Sequence, residues 1–187
     1  MNDDKEELLY FAYGSNMAPQ RLQARVPSAR PLQRAALPGH ALRFHKHSRV
    51  DGSAKCDACH TADPSHSVYG LLYRMSAAER PALDRAEGLG RGYEIKTVEL
   101  VLVGDERVSA FTYYATDITT GLRPYGWYRE HVLRGACYAE LPQAYIAAIG
   151  AVAVMPDPDP ERHALELEIY RGLAPLASSH DPDPRAV

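Results

Sequence analysis

The sequence of 187 residues predicts a mixed α+β domain, barrel-like in outline and not a doubly wound sheet. Three observations point there. Expected strands outnumber strand–helix–strand units. The two longest strand candidates, Tyr93 to Val103 and Arg107 to Thr116, are separated only by Gly104-Asp105-Glu106, which makes them an antiparallel hairpin. Apolar residues make up 45 % of the chain and charged residues 24 %, enough to build a core without disulfides or a structural metal.

The remaining elements follow in order. Leu8-Leu9-Tyr10-Phe11-Ala12 is an apolar and aromatic run suited to a buried strand, and it stops at the turn formers Tyr13-Gly14-Ser15-Asn16. Ala18 to Ala24 reads as a helix, with Pro19 tolerated in its first turn. Pro27, Pro31 and Pro38-Gly39 interrupt the next stretch, and a strand is expected around Ala41 to Phe44. His45 to Ser67 lacks periodicity and is expected to be mainly loop. Val68 to Tyr73 is again a strand. Ser76-Ala77-Ala78-Glu79 fits a capping box, but Pro81 conflicts with a regular helix from Ser76. That helix therefore starts nearer Glu79 or has an irregular first turn, and Gly88 supplies its stop. Further helices are expected at Trp127 to Leu133, closed by Gly135, at Gln143 to Ile149 after Pro142, and at Glu161 to Tyr170. Pro156 to Pro160 is a stiff spacer. Residues 1–172 are expected to form one domain and 173–187 a flexible tail.

Charge and length exclude some roles. Lysine and arginine number 21 against 24 acids, a net charge of −3, so no basic surplus points to nucleic acid. The longest apolar stretch, Ile146 to Met155, is about half a membrane span. The acidic N-terminus lacks the order of a signal peptide, and three cysteines are an odd count, so a reduced cytoplasm is the expected compartment.

Four features could carry chemistry. The turn Tyr13-Gly14-Ser15-Asn16-Met17 joins a strand to a helix and leaves backbone N–H groups without ladder partners, which suits an anion or a developing oxyanion. The competing reading is a structural turn in which Asn16 bonds its own backbone. Ser15 lacks the Gly-x-Ser-x-Gly context of a nucleophile. Glu87, at a helix C-terminus beside the apolar positions Leu83 and Ala86, is a candidate general base; the competing reading is a surface glutamate paired with Arg91.

Cys56-Asp57-Ala58-Cys59-His60 has the spacing of covalent haem attachment, or of three zinc ligands with His45, His47 or His66 as the fourth. No second ligand pair stands at the usual interval, so a chance cluster is the alternative. Finally, twelve tyrosines against three phenylalanines leave many rings in need of a polar partner. Tyr10, Tyr69 and Tyr113 read as core residues, whereas Tyr93 and Tyr128 could bond a substrate. The Gly88-Leu89-Gly90-Arg91-Gly92 run misses the dinucleotide fingerprint and reads as a flexible link.

Together, Tyr10-Phe11-Ala12-Tyr13-Gly14-Ser15-Asn16-Met17, Val68-Tyr69-Gly70-Leu71-Leu72-Tyr73 and Leu83-Asp84-Arg85-Ala86-Glu87-Gly88 followed by Tyr93 resemble the γ-glutamylcyclotransferase (AIG2-like) family over roughly Leu8 to Val154. The resemblance implies an α+β fold around a small closed mixed β-barrel with flanking helices. It implies that Tyr13, Gly14, Ser15 and Asn16 bind the glutamyl end of a substrate, that Glu87 is the acid/base, and that Tyr93 and, less directly, Tyr128 are pocket tyrosines. The implied reaction is cyclisation of a small γ-glutamyl amide to 5-oxoproline with release of an amino acid or amine. That is an acyltransferase or lyase activity needing neither metal nor organic cofactor. The alternatives are a non-catalytic module binding a small carboxylated ligand, or a zinc protein organised by Cys56, Cys59 and His60.

Overall fold

Five strands close into a barrel. In the computed structural model, which describes residues 6–174 and residue 176, β1 (Glu7–Ala12) pairs antiparallel with β5 (Ser67–Ser76) and β5 with β2 (Arg30–Pro38). The path continues antiparallel from β2 to β6 (Tyr93–Leu102) and from β6 to β7 (Arg107–Ala115). It closes where β7 meets β1 in parallel, with Tyr10 opposite Phe111, so the barrel is mixed. The fully buried Phe11, Tyr73, Met75 and Leu100 belong to the barrel strands, and Leu22, Val26 and Leu83 join the same core from beside it. The closed mixed barrel with flanking helices implied by the resemblance is the observed fold.

Two strands contradict the expected loop and break. β3 (His40–His47) and β4 (Ala54–His60) form a separate two-stranded antiparallel sheet, although His45 to Ser67 was expected to be loop. Its polar, cysteine-containing sequence hides the strand because Cys56, Asp57 and Ala58 are all buried there, which erases the alternation of a half-exposed strand. β2 runs through Pro31, expected to break the chain; Pro31 stands at the strand's start, where a lost N–H is tolerated, and a bulge follows before Gln33.

The helices surround this frame: α1 (Pro19–Arg25), α2 (Arg80–Glu87), α3 (Gly126–Tyr138), α4 (Gln143–Gly150) and α5 (Pro160–Leu167). A 3-10 turn at Ala77–Glu79 precedes α2, which resolves the Pro81 conflict. The capping box does not form. Glu79 instead accepts hydrogen bonds from the N–H and hydroxyl of Ser28, at 2.9 and 2.6 Å. Of the segment expected as a tail, residues 175 and 177–187 lie outside the described residues. No described helix is long and apolar enough to cross a membrane.

Gly135 lies inside α3 and does not close it. A Cβ at this position would stand 2.4 Å from Met17 Cβ and 2.6 Å from Ala18 N, so the missing side chain lets α3 rest directly on the turn after β1. Gly135→Ala should therefore destabilise the protein by about 1–3 kcal/mol through overpacking, despite alanine's better helix propensity. A urea midpoint equal to or above wild type would contradict this packing.

His131 of α3 is fully buried, with Nδ1 2.7 Å from the Tyr170 hydroxyl and Nε2 3.2 Å from Glu166 Oε2. Burial pushes its imidazole down to about 4, against the upward pull of Glu166. Burial disfavours the Glu166 charge too, but hydrogen bonds from His131 and Arg21 hold that carboxyl at about 2. Nε2 also lies 2.9 Å from Arg21 Nη1, so as an acceptor it takes that donor while Nδ1–H donates to Tyr170, and as a donor it serves Glu166. The folded state thus refuses a proton that an unfolded histidine accepts near pH 6.5. The His131 contribution is complete above about pH 6.5 and falls by up to about 3 kcal/mol as pH drops toward 4; Glu166 adds a loss from about pH 4.5 to 2. Denaturant unfolding across this range should show a shallower pH slope between 6.5 and 4 in His131→Gln than in wild type. Equal slopes would contradict the assignment.

Candidate active site

The site begins at the turn that ends β1. Gly14 leads into a 3-10 turn at Ser15–Met17, closed by Met17 N–H donating to Gly14 O at 3.0 Å. Its far end is tied to the barrel by the Tyr73 hydroxyl, which donates to Met17 O at 2.9 Å. The N–H groups of Gly14, Ser15 and Asn16 have no acceptor among the described residues. Three consecutive backbone donors are therefore left without a protein acceptor at this turn. A Cβ on Gly14 would lie 3.1 Å from Cys56 Cβ, so β4 packs directly against the turn. The Tyr13 hydroxyl donates to Tyr113 O at 2.7 Å, fixing its ring.

Asn16 then reaches across to the end of α2. Its Nδ2 donates to Glu87 Oε1 at 2.6 Å and lies 3.3 Å from the Tyr10 hydroxyl, while its Oδ1 accepts from Arg25 Nη1 at 2.9 Å. The side chain therefore does not bond its own backbone. Arg25 also stands 3.4 Å from Glu87 Oε1. Both contacts fall on Oε1, and Glu87 Oε2 has no hydrogen bond among the described residues. Glu87 pairs with Arg25 and not with Arg91. α2 stops here because Gly88 adopts a left-handed conformation, φ +75°, and caps the Asp84 and Arg85 carbonyls.

A ring of tyrosines completes an inner recess. Tyr10, Tyr13, Tyr93, Tyr113 and Tyr128 line it with Gly14, Ser15, Asn16, Cys56 and Glu87. Burial pushes all five phenols up, so they remain neutral. The recess shares Ser15, Glu87, Tyr93 and Tyr128 with an outer cleft of about 660 Å³. Tyr93 and Tyr128 bracket the backbone of Cys56: the Tyr93 hydroxyl donates to Cys56 O at 2.5 Å, and Cys56 N–H donates to the Tyr128 oxygen at 3.0 Å.

All seven expected site residues are thus brought to one place. Tyr10, Tyr113 and Arg25 were not singled out for the site. Arg21 and Arg25, four apart on α1, give a basic helical stripe that was visible in the sequence.

The cysteine motif does not assemble as a metal site. Residues three apart on a strand point to opposite faces, so Cys56 lines the recess while Cys59 lies on the other side of β4. The His60 ring packs instead 5.0 Å from that of His40. Donor atoms of His45, Asp57 and Cys59 lie within 4.8 Å of one another. Both Asp57 oxygens are already engaged, by His45 Nε2 at 2.9 Å and by Ala115 N–H at 2.8 Å. Burial pushes the Cys56 thiol up to about 12, which removes the thiolate needed for ligation or attack. In the native protein at pH 8, Cys56 should resist alkylation and should become labelled only on unfolding, as read by mass spectrometry of its peptide. Rapid native labelling, or protection that appears only with added zinc, would contradict this environment.

Comparison with known proteins agrees with this architecture. The AIG2-like family model matches residues 67–149. The chain is 27% identical over 152 residues to a γ-glutamylcyclotransferase of Homo sapiens, covering 80% of each chain. It is 26% identical over 155 residues to the γ-glutamylcyclotransferase of Bos taurus, covering 81% of each. Among solved structures, a γ-glutamyl cyclotransferase superposes with a TM-score of 0.77 at 23% identity, covering 87% of this chain and 99% of that one. An uncharacterized Homo sapiens protein superposes with a TM-score of 0.73 at 26% identity, covering 80% and 90%. By motif, barrel and relatives, the chain is similar to the γ-glutamylcyclotransferase-like, or AIG2-like, family.

Proposed function

We propose that this protein cyclises a γ-glutamyl amide to 5-oxoproline and releases the amine, with Glu87 as general acid/base. The observation that carries this reading is the division of labour within one carboxylate. Oε1 is held by Asn16 and Arg25, while Oε2 has no partner among the described residues, beside three free backbone donors.

A γ-glutamyl substrate carries an α-ammonium, an α-carboxylate and a γ-amide. Glu87 Oε2 would accept a proton from the ammonium, which frees a lone pair on the nitrogen. The amine then attacks the γ-carbonyl carbon of the same molecule and closes a five-membered ring. Negative charge develops on the carbonyl oxygen, and the N–H groups of Gly14, Ser15 and Asn16 supply donors for it. Collapse breaks the amide C–N bond as Glu87 gives its proton to the departing nitrogen. The regenerated carboxylate then takes the second proton from the ring nitrogen and passes it to the released amine, which leaves as an ammonium beside neutral-ring 5-oxoproline. Attack within one molecule already has a high effective concentration, so the site has mainly to fold the substrate and limit water. The tyrosine-lined recess suits that task because its neutral phenols bring no competing charge.

Glu87→Gln keeps the side-chain volume and a hydrogen-bonding oxygen but cannot take the ammonium proton. Release of 5-oxoproline from γ-glutamyl dipeptides should fall about 10²–10⁴-fold, chiefly in kcat, while ligand binding persists. A folded variant turning over at the wild-type rate would remove Glu87 from the reaction. Wild-type binding of γ-glutamyl compounds without 5-oxoproline release would make this a binding module.

A further inference from the structure

The outer cleft is lined by Arg21, Arg25, Lys46, Arg49, Lys55, Arg85 and Arg91 against only Glu87 and Asp117. Four of these cations have carboxylate partners: Arg21 with Glu166 at 2.5 Å, Arg25 with Glu87 at 3.4 Å, Arg49 with Asp117 at 2.7 Å and Lys55 with Asp51 at 2.8 Å. Among the described residues, Lys46, Arg85 and Arg91 form no ion pair. Lys46 differs from the two arginines because it is 7 % exposed. Its ammonium makes no hydrogen bond to a described residue and stands 4.8 Å from the centre of the Tyr93 ring, which also lines the inner recess.

The fold holds Lys46 in this position. A β-bulge between Phe44 and Lys46 shifts the β3 register, the kind of irregularity that re-aims a side chain. The loop between α2 and β6 then closes on its stem. Gly92, at φ +106°, passes so near that a Cβ there would lie 3.0 Å from Lys46 Cε and 3.4 Å from Nζ. Burial disfavours the Lys46 charge, and Asp117, Glu87 and Asp51 offset this only through space. The side chain is largely withdrawn from solvent while its ammonium borders the cleft, and such a cation without a hydrogen-bonded anion gains from a ligand that supplies one.

We propose that Lys46 is a specificity residue that takes a carboxylate on the departing half of the substrate, so that the cleft selects γ-glutamyl amides of amino acids or peptides over γ-glutamyl amines. This inference rests on the reading of the reaction given above. With the glutamyl end at the Gly14–Asn16 turn, the departing half leaves the recess past Tyr93 and meets Lys46, in a cleft that Arg85 and Arg91 also line.

Two probes isolate the carboxylate: γ-glutamylalanine and γ-glutamylethylamine share the glutamyl end and the scissile amide. Binding by calorimetry and 5-oxoproline release are measured for both compounds with wild type, Lys46→Met and Lys46→Arg, each checked for folding by circular dichroism. Wild type should bind γ-glutamylalanine about ten- to a hundredfold more tightly, the range of a charge-assisted contact; Lys46→Met should bring the ratio near one, and Lys46→Arg should retain most of it. A wild-type ratio near one overturns the proposal. So does equal weakening of both compounds in Lys46→Met, which would place Lys46 against the shared glutamyl end or in the fold. A Lys46-dependent binding ratio without 5-oxoproline would uphold the specificity assignment and overturn the reaction. Failure of folded wild type to bind either compound would overturn both.

Discussion

The hydrogen bond from Asn16 Nδ2 to Glu87 Oε1, 2.6 Å long, joins two parts of the chain that are distant in sequence. Asn16 belongs to the turn leaving β1, and Glu87 is the last residue of α2, seventy-one positions later. Each partner is immobilised from its own side. The turn is wedged between Gly135 of α3 and the Tyr73 hydroxyl, and α2 is stopped by the left-handed Gly88. Arg25 closes the triangle by donating to Asn16 Oδ1 and approaching Glu87. The network consumes one carboxylate oxygen and leaves the other available. A glutamate merely exposed at a helix end would have rotamer freedom here; this one does not.

The separate β3–β4 sheet gives the barrel a specific pocket. Its inner strand carries Cys56, whose peptide is held by the hydroxyls of Tyr93 and Tyr128. Those two tyrosines therefore act first on the wall of the recess, and any contact with a bound molecule is made by rings already fixed in place. Asp57, on the next residue, anchors the opposite face of the strand to the Ala115 N–H. The same sheet carries Lys46 to the mouth of the cleft. The proposed catalytic geometry and the proposed charge selection thus draw on different elements, the barrel turn with the end of α2 and the appended sheet.

Much of this was legible in the sequence where local chemistry decides structure. The run Leu8 to Ala12, the turn formers after it, the hairpin around Gly104 and the stop at Gly88 each carry their own signal and appear as read. The elements that escaped are those whose environment overrides composition. β4 looks like a polar loop because its acid and one of its cysteines are buried by tertiary partners. β2 was hidden by Pro31, acceptable only because it falls at the strand's start. The capping signal at Ser76 to Glu79 was misleading because Ser28, distant in sequence, captures the glutamate. Gly135 marks close packing and not a helix end. The basic stripe of Arg21 and Arg25 was readable on α1, but its place at the site was not, and Lys46 carried no signal at all, because only the closed fold brings α1 and β3 to the end of α2.

The central claim is spatial: one carboxylate oxygen and three backbone donors face the same few atoms of a γ-glutamyl amide. A crystal structure of the Glu87→Gln protein with a γ-glutamyl dipeptide bound tests it most directly. The account predicts the γ-carbonyl oxygen within about 3 Å of N–H groups of Gly14 to Asn16, with the α-nitrogen against the side chain of residue 87. A dipeptide seated elsewhere, or one whose α-nitrogen lies beyond reach of that side chain, would contradict it.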